Sequence, residues 1–395
     1  MGVSPMPLTE YCMGEAPMPP RKLSVNETAS DIVAKDLNYI CENAADELRA
    51  MSGKRLLFTG GAGFLGHYFV QAACHWNRLN KSSKPIDVTV WDNFSRGTPA
   101  WLMKLKEDGA AKVVRYDLKD PLPNDMGDFE FIVHAASIAS PTYYRRDPIG
   151  TMDANVNGLR NLLDKFLAQK NAGKEVGGFL FFSSSEIYGD PDPTNIPTRE
   201  DYRGLVSCTG PRACYDEAKR YGETLCVNFA RQHGLPVKQA RPFNNFGPGL
   251  KITDGRVIPD FARDVFAGRD IVMLSDGAPK RTFCYVADSV TGYIKVLVKG
   301  HPGEGYNIGT ETPEISMRDL AVKIAAVSKD LFGYGGKVIT QASSDAEYLV
   351  DNPNRRCPVI EKARAHLNFN PSIALDEGLR RSMIWYGGNR IAEES

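Results

Sequence analysis

The chain has 395 residues, 42% of them hydrophobic and 24% charged, with 48 Lys and Arg balanced by 48 Asp and Glu. Such a composition suits a globular chain able to bury one large core or two smaller ones, and zero net charge leaves no global field that would favour nucleic acid or an anionic membrane. Eight cysteines (Cys12, Cys41, Cys74, Cys208, Cys214, Cys226, Cys284, Cys357) form no C-x-x-C pair, so they read as reduced thiols and no metal is expected.

Residues 1 to about 23 are rich in Met and Pro without periodicity and read as a flexible arm. Met1-Gly2 begins like a myristoylation signal, but Met6 stands where Ser or Thr is needed. The start also lacks the basic-then-apolar order of a signal peptide, and no run reaches the roughly 18 apolar residues of a membrane span, so a cytoplasmic location is expected. Ser24 to Met51 carries Ile32, Val33, Leu37, Ile40, Ala44 and Leu48 at helical spacing, which predicts one or two amphipathic helices covering their own domain or a dimer partner.

From Lys54 the pattern changes to short apolar runs separated by helical stretches. The runs are Arg55–Thr59, Val88–Trp91, Lys112–Tyr116, Phe131–His134, Gly178–Phe182 and Val237–Ala240. This is the pattern of a parallel sheet covered on both faces, an α/β doubly wound Rossmann-type fold whose ligands sit at the carboxyl ends of the strands. After about residue 247 the rhythm becomes irregular, with late helices predicted over Ser316–Val327, Val359–Leu367 and Leu375–Trp385. The expected organisation is a helical extension over 1–53, a dinucleotide domain over 54–247, and a smaller substrate-binding lobe over 248–395 that returns in part to the sheet.

Gly60-Gly61-Ala62-Gly63-Phe64-Leu65-Gly66 follows the first strand and opens a helix. Glycines there let a pyrophosphate approach the unpaired amides and positive dipole end of the helix. Asp92 ends the second strand, farther on than the usual ~20 residues because Asn77 to Pro85 reads as a loop insertion. A carboxylate there accepts hydrogen bonds from the ribose hydroxyls and repels a 2′-phosphate, so NAD is favoured over NADP despite nearby Arg96. Asp117-Leu118, after the third strand, reads equally well as an adenine contact or as a simple turn.

Tyr215 and Lys219 lie four apart, on one face of a helix, downstream of the strand ending in Ser183-Ser184-Ser185. Lys219 is expected to lower the phenol pKa from about 10, and the phenolate to take a proton from a sugar hydroxyl as hydride leaves carbon, with Ser184 holding the same oxygen. Glu186, two residues beyond Ser184, adds a carboxylate that simple oxidation does not need. It is useful where a further proton moves or a water is held, although an acid at a loop start is also commonplace.

These residues, with Ala136-Ser137-Ile138-Ala139-Ser140-Pro141, Ser184-Ser185-Glu186-Ile187-Tyr188-Gly189-Asp190-Pro191, Gly210-Pro211-Arg212-Ala213-Cys214-Tyr215 and Arg241-Pro242-Phe243-Asn244, resemble the extended short-chain dehydrogenase/reductase family. Within it they are most similar to the enzymes that decarboxylate UDP-glucuronate to UDP-xylose. The resemblance, from Lys54 to Tyr386, implies NAD-dependent oxidation at C4, loss of carbon dioxide from the β-keto acid, protonation at C5 and re-reduction. It implies Ser184, Glu186, Tyr215 and Lys219 as catalytic residues. It also implies Gly60, Gly63, Phe64, Leu65, Asp92, Asn93, Asp117, Leu118, Ala135, Asn155, Tyr215 and Lys219 around NAD. Ser140, Tyr143, Asn244, Arg256, Val257 and Arg281 would meet the nucleotide sugar, and a homodimer is implied.

Leu274 stands where the family usually places an aromatic residue near the base, which leaves the nucleobase open. Competing readings are a nucleotide-sugar 4-epimerase or 4,6-dehydratase, which share the first oxidation, and a non-catalytic NAD-binding scaffold.

Overall fold

The six apolar runs become six strands of one sheet. In a computed structural model, which describes residues 27–343, 350 and 353–389, these are β1 (Arg55–Thr59), β2 (Asp87–Asp92), β3 (Lys112–Arg115), β4 (Phe131–His134), β5 (Gly178–Phe182) and β6 (Val237–Pro242). The arm expected over residues 1 to about 23 and the myristoylation-like start lie outside the described residues. Short strands β7 (Asn245–Phe246), β8 (Ile271–Met273), β9 (Lys280–Arg281) and β10 (Cys284–Tyr285) follow, then β11 (Gly305–Ile308), β12 (Ile315–Ser316), β13 (Val338–Thr340) and β14 (Arg355–Arg356).

The main sheet has seven strands in the order β11-β6-β5-β4-β1-β2-β3, and every pairing in it is parallel. Strand order reverses on either side of β1, so a crevice opens above the carboxyl ends of β1 and β4, where doubly wound sheets bind ligands. β11 was not foreseen because Gly305-Tyr306-Asn307-Ile308 carries no apolar run. Its buried Asn307 is satisfied instead by Tyr188, by the carbonyls of Thr198 and Val359, and by Glu200. This strand ties the C-terminal third of the chain into the sheet.

Alternate strand residues feed cores on opposite faces. Leu57, Ile132, Phe179 and Phe181 pack on α6 (Pro148–Asn171) and α7 (Ala213–His233) through Leu159, Leu162, Phe166 and Phe229. Leu56, Phe58, Val133 and Leu180 face the larger core, which includes residues of α3 (Phe64–Leu79) and α9 (Val286–Lys299). The remaining helices are α1 (Ala29–Asn43), α2 (Ala45–Met51), α4 (Ala100–Glu107), α5 (Pro141–Tyr144), α8 (Val257–Phe266), α10 (Met317–Phe332), α11 (Glu361–Leu367) and α12 (Leu375–Asn389). α10 runs five residues past its expected end, to Phe332, and Gly333, with a left-handed φ of +71°, caps it. Among the described residues no helix is long and apolar enough to cross a membrane.

Thr28 and Asp31 form a capping box that starts α1. The helix then sinks a carboxylate into the protein: Asp36, fully buried, accepts hydrogen bonds of 2.6 Å each from Tyr68 of α3, Tyr285 of β10 and Arg381 of α12. Glu47 of α2, 1% exposed, pairs with Lys295 and Lys299 of α9, and Tyr39 donates to Asp288. The two helices therefore pack on their own chain.

Candidate active site

A cavity of about 700 Å³ runs from the ends of β1 and β2 to the ends of β5 and β6. At one end lies the glycine turn. Gly60 has φ +74°, and a Cβ there would come within 2.6 Å of the Ala136 backbone. Gly63 is the N-cap of α3 and offers no side chain, so the first-turn amides face the cavity. A Cβ on Gly66 would lie 2.2 Å from the Gly61 carbonyl, so helix and strand pack as a pyrophosphate cradle requires. The Asp92 carboxylate accepts from the amides of Ala62 (2.9 Å) and Phe94 (2.8 Å), and burial raises its pKa against those hydrogen bonds. Asn93 donates to Asp117 at 3.1 Å. Gly60, Gly63, Phe64, Leu65, Asp92, Asn93, Asp117, Leu118 and Ala135 all line this end, a donor set and shape that fit a dinucleotide.

Asn155 does not line the cavity. It donates instead to Ser137 at 2.9 Å and to the Thr151 carbonyl, and Ser137 lines the wall.

At the other end Ser184, Glu186, Tyr215 and Lys219 converge. Ser184 starts a 3₁₀ turn, its hydroxyl accepting from the Glu186 amide at 3.1 Å. One turn apart on α7, Tyr215 and Lys219 are both buried. Burial pushes the Tyr215 phenol up to about 12, partly offset by its hydrogen bond with Ser184. Burial also pulls Lys219 down to about 7 while its ammonium donates to the Phe182 carbonyl at 2.7 Å. The expected depression of the phenol by Lys219 is therefore absent from the protein alone. Burial is the largest influence on each group and disfavours both charges. Tyr144 stacks flat on Tyr215, centroids 5.2 Å apart at 9°.

Glu186 is ionised. Burial opposes its charge, but Arg212 and Arg356 outweigh burial and hold the carboxyl well below the usual range. Arg356 grips both oxygens at 2.5 and 2.6 Å, and Arg212 pairs with Oε2. Arg281 lies near the same group, its guanidinium donating to the carbonyls of Lys280 (2.8 Å), Asn354 (3.1 Å) and Pro353, and burial followed by the neighbouring Arg356 lowers it to about 9. Sequence reasoning missed Arg356 and Tyr144. Arg356 sits about 170 residues from Glu186 on the two-residue strand β14, which has no periodicity to betray it.

Asn244 is held at φ +43°, with its amide donating to the Thr282 carbonyl at 2.9 Å. Arg256 and Val257 open α8 into the cavity, Arg256 pairing with Asp254 at 3.1 Å. Leu274 lines the wall with Met273 and Phe261. Ser140 lines the cavity while its hydroxyl donates to the Asp254 carbonyl at 2.8 Å, and Tyr143, outside the lining, lies under the Arg96 guanidinium.

The sheet order, glycine cradle and Ser-Tyr-Lys set define a nicotinamide-dependent dehydrogenase of the extended short-chain type, with NAD as cofactor. Residues 56–309 match the NAD dependent epimerase/dehydratase family, and the chain belongs to it. It is 34% identical over 344 residues to UDP-glucuronic acid decarboxylase 1 of Arabidopsis thaliana, covering 86% of this chain and 71% of that protein. UDP-glucuronic acid decarboxylase 3 of the same plant is 35% identical over 326 residues, covering 82% of this chain and 86% of the relative. Among solved structures, DesIV of Streptomyces venezuelae, a dTDP-glucose 4,6-dehydratase with NAD bound, superposes with a TM-score of 0.71 at 27% identity. That match covers 86% of this chain and 99% of the other.

Proposed function

We propose that the protein decarboxylates UDP-glucuronate to UDP-xylose. The observation that carries this reading is the cation cluster at the reacting end: Arg212, Arg281 and Arg356 surround Glu186 beside Tyr215 and Ser184. A neutral hexose has no use for three arginines there, whereas a sugar carboxylate can exchange places with, or sit beside, the carboxylate they already hold.

NAD supplies a hydride acceptor at C4 that returns the hydride at the end, so the cycle is redox-neutral. Ser184 positions the 4-hydroxyl, and Tyr215 accepts its proton as the phenolate, a form that the positive charge of bound NAD would favour. The 4-keto sugar acid is a β-keto acid and loses carbon dioxide, the C–C bonding pair passing to the enolate. C5 is then protonated, and Tyr215 returns its proton to O4 as C4 is reduced. Because two arginines keep Glu186 ionised, its role is to orient the ring and the guanidinium groups rather than to store a proton. Asn244, Arg256 and Val257 hold the diphosphate side and Arg281 the charged sugar, while Asn155 acts through Ser137.

The same reading treats 54–247 as the cofactor domain, 248–395 as chiefly the substrate lobe, and the free, mostly buried cysteines as those of a cytoplasmic protein. It places a homodimer on α6 and α7, whose outer faces expose Ile149, Met152 and Tyr221. Light scattering of the purified protein should give twice the chain mass, and a monomer at micromolar concentration would remove that element. Incubation with UDP-glucuronate, with the products read by mass spectrometry, tests the activity. A nucleotide sugar lighter by one carbon dioxide supports it, an isomer of unchanged mass indicates a 4-epimerase, and loss of water a dehydratase.

A further inference from the structure

Three segments that line the cavity are tied together above the dinucleotide cradle. Arg96, in the loop after β2, lies with its guanidinium 3.7 Å from the Tyr143 ring centroid in α5 and 3.6 Å from the Asp254 carboxylate in the loop before α8. Its carbonyl accepts from Lys251 at 2.6 Å, and the Ser140 hydroxyl donates to the Asp254 carbonyl at 2.8 Å. The loop before α8 also rests on the start of α3, since a Cβ on Gly249 would come within 2.7 Å of the His67 ring, one residue beyond Gly66. The loop that carries Asp254 therefore packs beside the first turn of α3. Arg96 and Lys251 share the cavity lining with Gly63 and Leu65.

We infer that Arg96, Tyr143 and Asp254 form a latch that retains NAD in the cleft between half-reactions. The inference rests on the cofactor assignment and extends it to cofactor retention. Release of the reduced nicotinamide after the first oxidation would strand the 4-keto sugar with no hydride to return, so a redox-neutral cycle needs a slow cofactor exit. The bonds of the latch suit that task. A guanidinium on a ring face and a partly exposed ion pair are weak enough to open, and Arg96, about one-third exposed, closes from the solvent side.

The test is NADH release from the full chain, followed by nicotinamide fluorescence after mixing with excess NAD. Arg96→Ala and Tyr143→Leu should each speed release about tenfold, a change of about 1.4 kcal/mol. The double variant should be no faster than either alone, and Arg96→Lys should fall between. Release within twofold of the unaltered protein in both single variants, with thermal midpoints unchanged, would overturn the latch, as would effects that simply multiply. If the unaltered protein takes up no NADH, the cofactor assignment falls and the latch with it; if it binds NADH and both variants release at its rate, the latch alone falls.

Discussion

At the scale of single residues, the account turns on which groups carry charge. Glu186 is ionised because two guanidinium groups outweigh its burial. Its contribution to stability is therefore present above the ordinary carboxylate pKa and lost as pH falls through the depressed native value. Glu186→Gln leaves Arg212 and Arg356 without their anion, and should cost about 3–5 kcal/mol at pH 7 in denaturant unfolding. That gap should narrow below roughly pH 4, as the carboxyl of the unfolded chain takes up a proton that native Glu186 does not yet bind. A gap constant down to pH 3 would mean that Glu186 is not held as an anion.

Lys219 is shifted in the same direction for a different reason: burial disfavours its charge. Its native pKa is pulled from 10.5 to about 7, so between these values the unfolded chain binds one more proton and stability rises with pH. Lys219→Met should flatten that rise between pH 7 and 9.5, as measured by urea midpoints. Tyr215→Phe should lower kcat by about 10²–10⁴-fold, the usual worth of a positioned acid–base group, while NADH still binds in a fluorescence titration.

That Ser184, Glu186, Tyr215 and Lys219 would converge was legible because each stands in a short motif at a strand end or on one helix turn. Arg356, which with Arg212 sets the Glu186 charge, was not, since β14 is a two-residue strand brought beside it by distant chain. Nothing in the sequence signalled that Arg96 would lie over the Tyr143 ring.

At the scale of elements, the N-terminal helices are the part whose helical nature the sequence showed but whose target it did not. Periodicity gave the amphipathic face, yet Asp36, a charged residue in the middle of that face, gave no sign that it would be buried. It is satisfied by Tyr68, Tyr285 and Arg381, from three separate elements. Tyr285 stands on β10, which pairs with β7 immediately after Asn244, so α1 braces a strand pair bearing on the substrate side. Asp36→Ala should cost about 3–5 kcal/mol, because Arg381 keeps Glu377 but loses its buried anion while Tyr68 and Tyr285 lose their acceptor, and Asp36→Asn should cost less. Chemical denaturation compares them, and a change under 1 kcal/mol for Asp36→Ala would show the helices to be a loose appendage. β11 escaped notice for a related reason: a strand buried through a hydrogen-bonded Asn carries no apolar signature.

At the scale of the whole molecule, one parallel sheet places every reacting group along a single cleft. The cradle after β1 and the acid after β2 hold one end of the cleft. Ser184 after β5 and Asn244 after β6 stand at the other, and β11 draws the C-terminal segment back so that Arg356 can close on Glu186. The strand–helix alternation made this layout readable from the sequence, and the strand order then fixed the site above β1 and β4. What separates decarboxylation from epimerisation or dehydration is the charge at the sugar end, and that is where the central claim stands.

The most direct measurement is incubation of the purified protein with NAD and UDP-glucuronate labelled with carbon-13 at C6, following labelled carbon dioxide and the nucleotide sugar together. The account predicts one labelled carbon dioxide per UDP-xylose formed, with no net NADH. A nucleotide sugar that keeps its labelled carboxyl, whether unchanged or inverted at C4, would contradict it.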